Sequence, residues 1–371
     1  MKPVADRDRC RQKAPRKTLS FQAYSVLLLW LALLLLASTA AQGAAAPGKA
    51  RKGIEVGVQP LGYPAAMIGA VIGRDAILKQ QLARRGYSFT PVPFRKGNDM
   101  VDLFGSRLDA GLLGDMPTIR LAVETDVCAV GLVKQTFSSV VSYKVTLLAQ
   151  LKGKRVGYSE GSSAHHTLLQ ALASVGLTDR DLTLVPVEID AMPGALEAGR
   201  IDAFAAWEPA VSIALASAPE ARILFRGVSS DYFVLSRELV QRDPEAALEV
   251  VAGFVRALSW MRKSAANVDL AAVWAKKDGE ALSGRPSRLA LSQAVEIAHR
   301  DILDVPSAPA ILRRSVGKPP LTDEFSFLKS LGKIPKNTEL QRLHDAFAYD
   351  GLQRVLKSPR RYRLAEFDYQ P

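Results

Sequence analysis

Short apolar runs recur along this chain, separated by stretches in which apolar residues return with helical spacing. Residues 54–58 alternate apolar and polar positions and predict a first strand. A loop at Gln59, Pro60, Leu61 and Gly62 follows, then an apolar helical stretch from about Ala65. Residues 89–94, 110–113 and 127–133 predict three more strands, and Asn98 or Asp99 is placed to cap a helix running through Phe104. Residues 136–144 are extended and mixed in polarity, which predicts a segment crossing between two lobes. Strands at 155–158, 182–187 and 203–206 alternate with helices at 192–198 and after Gly161, Ser162 and Ser163, where Leu168, Leu169, Leu172 and Val175 keep helical spacing. Two short strands, 223–225 and 232–235, precede a helical remainder at 244–263, 271–276, 290–299, 324–331 and 339–356. The alternation predicts parallel sheets in two α/β lobes, with the late helices packed around the first.

One stretch occurs twice. Arg200, Ile201, Asp202 and residues 203–206 form a small apolar strand that ends in Trp207, Glu208 and Pro209. Arg107, Leu108, Asp109 and residues 110–113, ending in Gly114, Asp115, Met116 and Pro117, repeat it 93 residues earlier. Arg107 matches Arg200, Asp109 matches Asp202 and Asp115 matches Glu208. A repeat at this spacing points to two similar lobes rather than a solenoid. Pro209 suits a first helical position. In open α/β sheets ligands bind beyond the C-terminal ends of strands, where Trp207 and Glu208 stand.

Composition adds an address. The chain has 371 residues, 48% hydrophobic and 23% charged, enough for two domains. Its first 20 residues carry seven Lys/Arg against Asp6 and Asp8, an apolar run follows from about Tyr24 to Ala37, and then come Ser38, Thr39, Ala40 and Ala41. That is the order of a secretory signal, cleaved within about 38–46, and the apolar run is short for a spanning anchor. Residues 44–52 read as a basic linker. The charge of +12 includes +5 in this leader, and the basic cluster at Arg360, Arg361 and Arg363 is expected to be a solvated face, not a nucleic-acid site. Cys10 precedes the apolar run, so cleavage leaves Cys128 alone, buried and without a disulfide partner.

Four candidate loops carry the chemistry: Gln59 to Gly62, Lys96 to Asp99, Gly161 to Ser163, and the repeat ends at Asp115 and Glu208. Helix starts offer unpaired N–H groups and a positive partial charge, so Ser162 and Ser163 suit an anion. Ordinary capping explains the same serines equally simply. Trp207 offers a face for a ligand or for the core. Asp115 and Glu208 suit an ammonium or hydroxyl group better than a bare anion, unless they only cap helices. His165, near the start of its helix, is placed to hydrogen-bond a ligand or to face solvent. Gly157, Tyr158, Ser159, Glu160 and Gly161 match the nucleophile-elbow pattern, with His299 or His344 downstream, but no oxyanion motif precedes them. The four histidines have no metal-site spacing, and no phosphate-binding loop or dinucleotide fingerprint is present, so no cofactor is expected.

Residues 152–158, then Gly161, Ser162, Ser163, Ala164 and His165, then 195–209 ending in Trp207, Glu208 and Pro209, resemble the periplasmic binding proteins of ABC importers for aliphatic sulfonates, taurine and nitrate. Gly114, Asp115, Met116 and Pro117 are similar to a turn of that family. The resemblance spans roughly 54–236. It implies a two-lobe type II periplasmic-binding-protein fold with a hinge and a helical C-terminal tail, divided as 1–43 signal, 44–143 first lobe, 144–227 second lobe and 228–371 return to the first. It implies ligand contacts from Gln59, Asn98, Asp115, Met116, Ser162, Ser163, His165, Trp207 and Glu208. It also implies a periplasmic, monomeric, non-enzymatic receptor that delivers a small organic anion to an inner-membrane ABC permease. The Lys-rich crossing at 141–154 departs from the family's pattern. The same superfamily includes binders of thiamine-related pyrimidines and pyrimidine-synthesising enzymes, and its anion binders extend to nitrate and bicarbonate; the leader and the lack of a cysteine cluster argue against the enzyme.

Overall fold

A computed structural model describes residues 53–303 and 321–370. The predicted leader, its cleavage site, the linker and Cys10 lie outside the described residues. Eight strands are present among them: β1 (Gly53–Val58), β2 (Ser88–Pro93), β3 (Ala110–Gly114), β4 (Val127–Ser142), β5 (Arg155–Tyr158), β6 (Thr183–Pro186), β7 (Ala203–Ala206) and β8 (Arg222–Ser236). They form one sheet in the order β2-β1-β3-β8-β4-β7-β5-β6. The order is a palindrome of connection types. β1 is parallel to β2 and β3, and β5 is parallel to β6 and β7. β3 then pairs antiparallel with β8, and β7 antiparallel with β4.

The sequence repeat is the chemical basis of this palindrome. Asp109 accepts the Glu55 N–H of β1 on Oδ2 at 3.0 Å, and its own N–H donates to the Glu55 carbonyl at 2.9 Å. Asp202 does the same to Arg155 of β5, at 2.9 Å and 2.8 Å. Each aspartate caps the start of a strand and satisfies a backbone donor there. The repeated acids before the strands are therefore structural.

The two halves are joined by β4 and β8, which pair antiparallel from Val127↔Ser236 to Ser142↔Arg222. The extended segment expected at 136–144 falls in the second part of β4, which runs on to Ser142, and of the Lys-rich stretch 141–154 residues 148–151 form a 3-10 turn. The short strands at 223–225 and 232–235 are one strand. The apolar pattern fades at Lys134, Gln135 and Thr136, opposite Asp231, Ser230 and Ser229, yet the pairing continues through them. Polar residues interrupt the hydrophobic signal there because that part of the ladder passes the cleft.

Both faces of each half are covered. In the first half one core joins Ile54, Val56, Ile68 and Leu112 to Val251, Phe254 and Ala272 of the long helices Pro244–Lys263 and Ala265–Ser283. The other joins Met100, Leu113, Met116 and Ile119 to Phe325, Leu328 and Leu343. The second half has its own cores around Met192, Ile201 and Phe204, and around Val156, Leu168 and Ala205. The late helices thus pack on the first half, as their pattern predicts. The expected helix at 271–276 extends over Ala265–Ser283, and the one at 339–356 divides into Leu340–Ala346 and Gly351–Lys357. Cys128 is buried and free, and burial pushes its thiol up to about 11. Among the described residues no helix is long and apolar enough to cross a membrane.

Candidate functional site

A cavity of about 50 Å³ lies where β4 and β8 pass between the halves. A water occupies on the order of 10–15 Å³ on this measure, so the cavity takes a group of a few non-hydrogen atoms. From the first half come Gln59 and Gly62 after β1, Lys96, Gly97 and Asn98 after β2, and Gly114 and Pro117 after β3. From the second come Ser159, Ser162 and Ser163 after β5, and Trp207 after β7. Every one of these loops follows the C-terminal end of a parallel strand, as the topology of such sheets requires. Gly97 lets two of them meet, since a Cβ there would lie 2.8 Å from Pro117 Cγ.

The floor is built by residues the sequence reading did not single out. Lys134 of β4, with 2% of its surface exposed, and Asp231 of β8, with 8%, are direct register partners and both line the cavity, with Ser229 beside them. The Lys134 ammonium stands 3.6 Å from Asp231 Oδ1. Burial pushes the Asp231 carboxyl up, and the neighbouring ammonium opposes that. The available signal was weak: a lone lysine after the apolar run 127–133, and an aspartate just before another strand. Only the antiparallel register joins them.

The nine predicted site residues separate into two groups. Gln59, Asn98, Ser162, Ser163 and Trp207 line the cavity. Gln59 is fixed by its Nε2 donating to the Leu112 carbonyl at 2.7 Å, and the Oδ1 of Asn98 is buried with no hydrogen-bond partner among the described residues. Ser162 caps the helix Ser163–Ala173, accepting the His165 N–H while its hydroxyl donates to the Ser159 carbonyl at 2.6 Å. Asp115, Met116, His165 and Glu208 are not in its lining. Met116 is fully buried among Met100, Val123 and Phe325. His165 is wedged edge-on between Tyr158 and Phe327, its Nδ1 accepting the Gly161 N–H at 3.3 Å, and burial holds it below the ordinary histidine value. Glu208 is spent on Arg300, at 2.9 Å, and on the Ser212 N–H, at 3.0 Å.

Asp115 acts one step behind the cavity wall. Its Oδ1 accepts the Ser163 hydroxyl at 2.6 Å across the two halves, and its Oδ2 accepts the Ser230 N–H of β8 at 3.3 Å. Burial raises this carboxyl to about 6, although the Ser163 hydrogen bond opposes the shift. A carboxyl with a raised folded value binds its proton more tightly in the folded state. Stability should therefore fall as pH rises from about 4 to about 6, by roughly 3 kcal/mol from this group alone. Asp115→Asn retains an acceptor for Ser163 and cannot titrate. Urea unfolding of this variant across pH 4 to 7 should show that decline removed; an unchanged decline would assign it to other groups.

The halves also meet through ion pairs of one polarity. Arg95 and Arg285 hold Asp190, Lys96 holds Glu188, Arg288 holds Glu197, Arg300 holds Glu208 and Lys333 holds Glu160. In each, the cation belongs to the first half and the carboxylate to the second. The cations are mostly a third or more exposed, so each pair contributes about 0–1 kcal/mol and is weakened by salt. A second cavity, of about 150 Å³, lies beside this seam against Leu61, Tyr63, Pro209 and Ile213. It is the larger of these two, its lining is mainly apolar and its arginines are already paired.

Two similar α/β halves, joined by two strands and enclosing a polar cavity at the crossing, define the two-lobe type II periplasmic-binding-protein fold. Residues 128–275 match the model of the NMT1-like family. A protein of Escherichia coli (strain K12) that carries the name aliphatic sulfonates-binding protein is 30% identical over 204 residues, covering 52% of this chain and 59% of that one. A Bacillus subtilis (strain 168) protein of the same name is 26% identical over 250 residues, covering 64% and 74%. The chain thus spans a little over half of the first relative and about three quarters of the second. The solved alkanesulfonate-binding protein SsuA from Xanthomonas axonopodis pv. citri, bound to MOPS, superposes with a TM-score of 0.59 at 23% identity over 82% of this chain and 99% of that one. The resemblance to the sulfonate- and nitrate-type binding proteins and the expected fold class are borne out. As for the Ser159 alternative, that residue lines the cavity, but among the described residues no histidine hydrogen-bonds to it, and the relatives named here are binding proteins.

Proposed function

We propose that this chain is an extracytoplasmic solute receptor that closes its two lobes on a small organic anion, an aliphatic sulfonate or taurine, and delivers it to an ABC permease in the inner membrane. The observation that carries this reading is the buried Lys134 ammonium, set in the same small cavity as the Ser162 and Ser163 helix start. A buried cation and a helix N-terminus together suit a compact oxyanion head, while the two serine hydroxyls stay committed to the Ser159 carbonyl and Asp115. Trp207 offers its face to the organic part. Closure is a population shift: a ligand touching both lobes favours the state in which both contacts exist. The charge-matched seam favours that state further. Export by the 1–43 leader, lobe boundaries at 44–143, 144–227 and 228–371, and action as a monomer complete the proposal.

A thermal-shift panel of taurine, alkanesulfonates, nitrate, bicarbonate and pyrimidines tests it. A ligand at about 100 times its dissociation constant should stabilise the protein by roughly 2.7 kcal/mol. At least one sulfonate should give such a shift. Silence from every sulfonate beside a response to a pyrimidine would overturn the ligand class and leave the fold standing.

A further inference from the structure

The Lys134–Asp231 pair is built unlike the fully buried pair of Asp75 and Arg256. Where Asp75 meets Arg256, the Asp75 carboxylate also accepts the Leu78 N–H at 2.9 Å, and Arg256 also donates to the Tyr362 carbonyl at 2.8 Å. That pair has secondary partners, as a buried pair needs if its attraction is to offset desolvation. Lys134 and Asp231 have none. Their separation of 3.6 Å exceeds hydrogen-bond length, the Lys134 ammonium donates to no described residue, and the Asp231 carboxylate accepts from none. An ammonium has three donors and a carboxylate about four acceptor positions. Both groups face the cavity, so both sets of unused positions open onto the ligand's space.

We infer that this pair selects ligands that carry both an anionic head and, within a few bonds of it, an ammonium or hydroxyl donor. The anionic head takes the donors of Lys134, and the ligand's own donor takes the acceptors of Asp231. A bare anion satisfies the first group and stands beside the second carboxylate without compensating it. The charge of the cavity floor is balanced, so a ligand that is itself balanced leaves no net buried charge, whereas a simple alkanesulfonate leaves one. Across an antiparallel ladder the two residues stand directly opposite, which fixes the spacing between head and donor to a short linker. This deepens the proposed solute-receptor reading and rests on it.

The test is calorimetric titration with matched compounds: taurine against ethanesulfonate, and β-alanine against propionate. Within each set the members share a chain and a head and differ in the ammonium. The wild-type protein should bind taurine at least tenfold more tightly than ethanesulfonate. In Asp231→Asn, confirmed folded by circular dichroism, that ratio should collapse toward one. A wild-type ratio below tenfold overturns the inference, and needs no variant to do so. A folded Asp231→Asn with the ratio unchanged overturns it too. If neither sulfonate binds while β-alanine binds at least tenfold more tightly than propionate, the sulfonate reading fails and the pairing inference stands. If none of the four binds, both fall.

Discussion

Arg256→Met should destabilise the protein by about 3–5 kcal/mol, because it leaves Asp75 as an uncompensated buried carboxylate. Arg256 and Asp75 are both fully buried, joined Nε to Oδ2 at 2.9 Å. Their surroundings make the loss global. Asp75 caps the helix Ala76–Arg84, and the adjacent backbone holds the end of the chain, with the Ala76 N–H donating to Asp368 and the Gln370 N–H to Arg74. Arg256 holds the Tyr362 carbonyl from the long helix Pro244–Lys263. One change thus loosens a helix start, a helix–helix contact and the C-terminal segment together. Urea unfolding should show a lower midpoint with an unchanged slope. The double variant Asp75→Asn/Arg256→Met should recover part of the loss, since it removes the orphaned charge. A single-variant cost below about 1 kcal/mol would mean that the pair is not the clamp described.

Lys134→Met should have the second large effect, and it has two parts. Asp231 loses its cation while buried, which costs about 3–5 kcal/mol of stability by the same reasoning. The cavity also loses its buried ammonium, and a charged hydrogen bond contributes about 1.5–3 kcal/mol, so affinity for an anionic ligand should fall by roughly ten- to a hundredfold. The two parts separate in Lys134→Met/Asp231→Asn, which should regain stability without regaining binding. Calorimetric titration and urea unfolding on the same preparations read both. If the double variant regained affinity as well, the lysine would be supporting the fold and not holding the ligand.

Much of this protein is legible without coordinates. The strand–helix alternation, the repeat from Arg107 to Pro117 in Arg200 to Pro209, and the polar helix start at Ser162 and Ser163 are local patterns, set by residues within a few positions of one another. They determined the two-lobe plan and five of the residues that line the cavity. Asp109 and Asp202 recur because each half must satisfy the same backbone donor, so the repeat recorded the architecture faithfully.

Tertiary structure decided the rest, because it depends on pairings between distant stretches. The acid after each repeated strand has the right type and position for a ligand contact, but Glu208 is consumed by Arg300 and Ser212, while Asp115 supports Ser163 from behind. No local pattern distinguishes an acid facing a cavity from one facing an arginine far along the chain. Met116 sinks into the core and His165 between two rings for a similar reason: the covering elements, including Phe325 and Phe327, come from the far end of the sequence. The cavity floor is the clearest case. Lys134 and Asp231 interrupt two hydrophobic strands and look like breaks in the pattern. They become a site only because β4 and β8 run antiparallel through the crossing and set the two charges face to face.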